Sequence, residues 1–146
     1  MAPRSRRRTR HFTVDAANAT LPLVRAITED LRRLSCEVVE RRRRLAVLRP
    51  PHPPNPNCPY QQELAQIADE LEKDRRRLQD YVRELHELGI EPRNITEGRI
   101  DFPSTVNGKA ACLCWKLGEN EVRFWHLSGS PCQARRPLGR AAPTAS

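Results

Sequence analysis

The side chains that could do chemistry in this sequence lie between Cys112 and Pro137. Cys112, Cys114, His126 and Cys132 offer four soft ligands, and four ligands close a zinc site. Their spacing is unlike a zinc knuckle: Cys112 and Cys114 are separated by one residue, and no second knuckle follows. Nucleophilic catalysis needs a cysteine with a base in reach, and His126 is the one histidine of this region. Glu119 is an isolated acid in a turn, and Trp125 stands next to Arg123 as a candidate anchor for a partner. No glycine-rich phosphate loop and no paired-carboxylate motif is present.

Whether these groups meet depends on strand register. The residues 109–116 and 121–127 read as two strands, and Asn107-Gly108 is a turn signal before them. If Lys116 faces Glu121, one sheet face collects Ala111, Leu113, Trp115, Val122, Phe124 and His126. The other face collects Cys112, Cys114, Lys116, Glu121, Arg123 and Trp125. That register keeps the apolar face coherent and makes a cross-strand ion pair. It also separates His126 from both cysteines, so the expectation is packed thiols, a hydrogen-bonded histidine and no metal or other cofactor. A slip by one residue would reunite them while mixing the faces. Arg99 to Phe102, ending at Pro103, reads as a third short strand.

The helices that carry this module are legible from periodicity. Val24, Ile27, Leu31, Leu34, Val38, Leu45 and Leu48 recur at alternating steps of three and four, with Arg41 in the missing slot. This is a heptad seam. A short first turn is expected after an N-cap at Thr13, and a second cap at Thr20 before the long helix. A second seam runs through Leu64, Ile67, Leu71, Asp74, Leu78, Tyr81, Leu85 and Leu88 to a C-terminal Gly89. Folded back antiparallel, the two seams match layer by layer, from Val24 against Leu88 to Leu48 against Leu64. Arg41 and Asp74 fall in adjacent layers and are expected to pair, fixing register. The runs of proline over residues 49–60 form a stiff connection, with a proline-rich ligand for a partner domain as the alternative.

The fold class expected is therefore α+β: a long antiparallel, coiled-coil-like two-helix hairpin over 12–90, then a small antiparallel β module of about three strands over 91–138. Residues 1–11 form a basic arm and 139–146 a tail, both expected to be disordered. The chain has 146 residues and a formal charge of +8. Arg4, Arg6, Arg7, Arg8 and Arg10 in the arm, with Arg135, Arg136 and Arg140 near the end, account for that whole excess. Removing those eight leaves 18 basic against 18 acidic side chains. A folded nucleic-acid reader carries its basic face on the domain; here only weak, salt-sensitive binding through the arm is expected. No apolar run reaches the ~20 residues that span a bilayer, and the arm lacks the apolar stretch of a secretory signal. Five irregularly spaced cysteines point to a reducing compartment, hence a cytoplasmic protein.

The opening His11-Phe-Thr-Val-Asp-Ala-Ala-Asn-Ala-Thr-Leu-Pro-Leu-Val24 resembles the start of a bacterial family known as domain of unknown function 2203. So do Gly98-Arg-Ile-Asp-Phe-Pro103, Cys114-Trp-Lys-Leu-Gly-Glu119 and Phe124-Trp-His126. Ala134-Arg-Arg-Pro-Leu138 is similar to the family's closing Gly-Arg-x-Pro element. The resemblance spans about residues 11–138. Asp101, Phe102, Pro103, Trp115, Gly118, Glu119, Trp125, His126, Arg135 and Pro137 match its distinctive pattern. After His126 the family continues with acidic residues and a glycine–aromatic step, where this chain reads Leu-Ser-Gly-Ser-Pro-Cys-Gln. Cys112 and Cys132 are not family positions. The resemblance implies no activity. The reading that follows is a non-enzymatic interaction module, binding another protein or a second copy of itself, with Glu119, Trp125, His126 and Arg135 as the contact site. A small metal, ligand or catalytic site around His126, Glu119 and Cys114 is the alternative.

Overall fold

A computed structural model describes residues 11–48, 59–131 and 134–138. The arginines of the N-terminal arm, nearly all of the proline-rich connection, Cys132 and the tail after Leu138 lie outside the described residues.

The apolar periodicity becomes two helices, α1 (Val14–Leu48) and α2 (Pro59–Glu87). Thr13 caps α1, its Oγ1 accepting the Ala16 amide at 2.9 Å. The second cap expected at Thr20 does not form. The Thr20 hydroxyl instead donates back to the Ala16 carbonyl at 2.9 Å, and the helix runs on through Pro22. Proline deprives the Asn18 carbonyl of its helical donor, yet Pro22 is exposed and the neighbouring turns are anchored by the buried Ala17, Leu21 and Val24. The helices pack antiparallel. Arg41 forms an ion pair with Asp74 and lies 3.7 Å from Glu70, while Leu85 shares the core with Leu21, Val24 and Ile27. Asp74 is buried and Arg41 only partly so, which leaves the pair one route to water.

An antiparallel sheet of five strands follows, not three: β1 (Glu91–Asn94), β2 (Arg99–Val106), β3 (Lys109–Lys116), β4 (Phe124–Leu127) and β5 (Arg136–Pro137), in sequence order. The two additional strands are short edge pieces of low strand propensity, with Pro92 in β1 and Pro137 in β5, so periodicity could not reveal them. β2 also continues past Pro103 to Val106. Proline is tolerated there because β1 pairs only with residues 99–101 of β2. The Pro103 carbonyl accepts the Phe12 amide at 2.7 Å, and Ser104 Oγ donates to the Phe12 carbonyl at 2.7 Å. Asn107 and Gly108 both take positive φ, closing a two-residue hairpin between β2 and β3.

One face of the sheet packs on the helices. Ile100, Phe102, Leu113 and Trp115 join Phe12, Ala17, Leu21, Val24, Ile27, Leu31 and Leu85 in a single core. Gly98 holds the corner before β2: its φ is +71°, and a Cβ there would lie 2.6 Å from the Leu117 Cβ. Gly98→Ala is expected to cost about 2 kcal/mol, joining left-handed backbone strain to overpacking. A urea midpoint unchanged from the parent chain would show that Leu117 simply moves aside.

Candidate functional site

The β3–β4 register is one residue away from the expected one. Cys112 faces His126, Leu113 faces Trp125 and Cys114 faces Phe124. Lys116 and Glu121 therefore do not pair, and β4 starts only at Phe124. The cause lies in the connection. The Val122 amide, which a longer β4 would have used, donates to Asn18 Oδ1 of α1 at 2.7 Å, and Val122 is buried in the core. The Lys116 amide donates to Glu119 Oε1 at 2.7 Å rather than to a facing strand. The slip puts His126 on the same face as Cys112 and Cys114, and turns Trp125 toward the helices. Trp125 is half-buried against the core, which corrects its expected place on the mixed, outward face.

On the sheet face away from the helices, β2 contributes Asp101, opposite Cys114. The ring of His126 reaches across β3 to it, with Nε2 3.1 Å from Asp101 Oδ2. One ligand atom from each of Asp101, Cys114 and His126 lies within 4.8 Å of the others. Their exposures are 1%, 0% and 3%. Arg93 Nε of β1 donates to the same Asp101 Oδ2 at 2.8 Å, and this hydrogen bond raises the guanidinium pKa. Asp101 Oδ1 is buried and, among the described residues, has no hydrogen-bond partner. The Cys112 thiol lies 3.8 Å from Ser128 Oγ. Burial first, then the Asp101 charge, pushes its pKa up, so it stays protonated.

Glu119 and Arg135 meet in a separate cluster. Arg135 makes a two-pronged contact with Glu119, at 3.2 and 3.0 Å, and its guanidinium lies 3.9 Å from the centre of the Phe124 ring. Burial works against the Arg135 charge, but hydrogen bonds to Glu119 and to Cys114 outweigh it and raise its pKa. Trp115 Nε1 donates to the Glu119 carbonyl at 3.0 Å. Glu119 thus ties the turn after β3 to the segment carrying β5, and its carboxylate is occupied by internal bonds.

Of the four expected contact residues, Glu119 and Arg135 come together, His126 belongs to the Asp101 cluster, and Trp125 faces the core. Asp101 and Arg93 were missed as site residues. The available signal for Asp101 was an acid set between the apolar Ile100 and Phe102; nothing marked Arg93, which projects from a β-bulge. Chemically, the His126 cluster is ill suited to activating a nucleophile. Nδ1 lies 2.9 Å from the Leu127 carbonyl and Nε2 faces a carboxylate, so neither nitrogen is left to take a proton from Cys114.

The family model described as "Uncharacterized conserved protein (DUF2203)" matches residues 10–138. No curated protein and no solved structure matches the chain.

Proposed function

We propose, for a chain that belongs to the DUF2203 family and takes no activity from it, a non-enzymatic interaction module whose contact surface is the outer half of the helical hairpin. The observation that carries this reading is a seam that two helices leave half open. The shared apolar core reaches Leu31 on α1 and Leu78 on α2. Farther out, Leu34, Val38 and Ile67 are still buried, whereas Leu45, Leu48, Leu64 and Leu71 are only half-buried; off the seam, Val39 and Val47 stand 47% and 79% exposed. Two helices alone cover a narrow seam; four cover it fully.

Charge favours a second copy of this chain as the occupant. The outer turns of α1 carry the exposed Arg42, Arg43 and Arg44, and those of α2 carry Glu63, Asp69 and Glu70, where no basic residue occurs from Gln61 to Glu72. Each hairpin therefore pairs a basic outer stretch on α1 with an acidic one on α2, and a second copy supplies the complement to each. Light scattering on the full chain is expected to give a concentration-dependent dimer. Val47→Glu, at a site too exposed to disturb the fold, is expected to weaken dimerisation at least ~10-fold, as like charges are forced into the interface. A monomer at every concentration, or a dimer indifferent to Val47→Glu, overturns this surface.

A further inference from the structure

We propose that Asp101, Cys114 and His126 form a mononuclear site for a borderline divalent transition ion of the zinc type. The argument starts from the histidine. A hydrogen bond from Nδ1 to the Leu127 carbonyl, at 2.9 Å, places the proton on Nδ1. The other ring nitrogen, Nε2, faces Asp101 Oδ2, 3.1 Å away. Two acceptors cannot face one another in a buried site unless a positive centre lies between them, either a proton or a metal ion. A backbone carbonyl on one ring nitrogen and the ion on the other is the usual support of a metal-bound histidine.

Two further observations favour an ion. Asp101 Oδ1 is buried without a hydrogen-bond partner among the described residues, so this carboxylate keeps an unused oxygen. The third ligand type is a thiol: Cys114 lies opposite Asp101, and its ligand atom falls within the same 4.8 Å group. Ligands on one tetrahedral zinc ion, bound at about 2.0–2.3 Å, stand about 3.3–3.8 Å apart. The group needs to contract by only about an ångström to meet that geometry.

The donor set also selects the ion. Calcium and magnesium take oxygen ligands, and one carboxylate beside a thiol and an imidazole suits neither. A carboxylate and a thiolate supply two negative charges to a dication, beside the Arg93 that bonds Asp101 and the Arg135 that bonds Cys114, and burial of all three ligand residues keeps water from the ion. The ligands come from β2, β3 and β4, so the ion would tie three strands together on the face the helices do not cover. This departs from the sequence expectation of no cofactor. It replaces Glu119, which Arg135 occupies, with Asp101.

The test uses the full chain and cobalt as the probe. Titration of metal-depleted protein with Co2+ is expected to saturate at one equivalent, with thiolate-to-cobalt charge-transfer absorption in the near ultraviolet. Zn2+ should bleach that absorption and raise the melting temperature. Cys114→Ser should abolish the absorption and Asp101→Asn weaken binding at least ~10-fold, while Cys36→Ser, altering an exposed thiol on α1, should leave both unchanged. The wild-type titration needs no variant to fold. A folded wild-type chain without the cobalt–thiolate absorption overturns the site, as does absorption that survives Cys114→Ser.

Discussion

Trp115→Ala is expected to lower stability by about 3–5 kcal/mol, the cost of deleting a large aromatic from a packed core. The side chain has no exposure and faces Ile100 across the sheet. It also carries a polar link, the Nε1 hydrogen bond to the Glu119 carbonyl at 3.0 Å. Arg25 of α1 extends over its ring, 5.9 Å from the centre, while donating to the Asn120 carbonyl at 3.0 Å. Truncation therefore opens a cavity, releases the turn that holds Glu119, and loosens the contact between α1 and that turn. Trp115→Phe should restore most of the packing and forfeit mainly the hydrogen bond, at about 1 kcal/mol. Urea unfolding followed by circular dichroism measures both. A Trp115→Ala loss no larger than that of Trp115→Phe would mean that the core collapses around the gap, and that the ring is not its keystone.

Asp101→Ala is expected to cost about 3 kcal/mol, because it removes one partner of a buried polar pair and leaves the other behind. His126 would keep its bond to the Leu127 carbonyl but lose the group facing Nε2. Arg93 also loses a partner, but its side chain is about half exposed, and water takes over its donors. Most of the loss thus belongs to the histidine. Asp101→Asn keeps the shape and one acceptor, so it should cost clearly less. The unfolding midpoints of the two variants in urea, at unchanged slope, decide the matter. Equal costs for alanine and asparagine would assign the effect to the charge alone.

The helices were legible in the sequence because their determinants are local and repeated. Apolar residues at steps of three and four define a stripe that must be buried, and the stripe extends over enough turns for its period to be plain. Arg41 and Asp74 stood out for the same reason, as charges inside an apolar series. The Asn107-Gly108 turn was legible because few residues accept positive φ at two successive positions. The edge strands were not, since two to four residues containing proline carry no period.

The site was decided elsewhere. Local pattern favoured Lys116 opposite Glu121, a register that keeps apolar side chains together. The folded chain takes the neighbouring register because Asn18, far away in sequence, claims the Val122 amide, and because Glu119 claims the Lys116 amide. Those two hydrogen bonds shorten β4 and shift its pairing by one residue, and in a strand one residue reverses every side chain. That reversal sends Trp125 to the core and brings His126 over the thiols to Asp101. The residue types at the candidate site were set by the sequence by itself. Their meeting was set by tertiary structure, since register in a short strand turns on single bonds to distant residues that no local pattern contains.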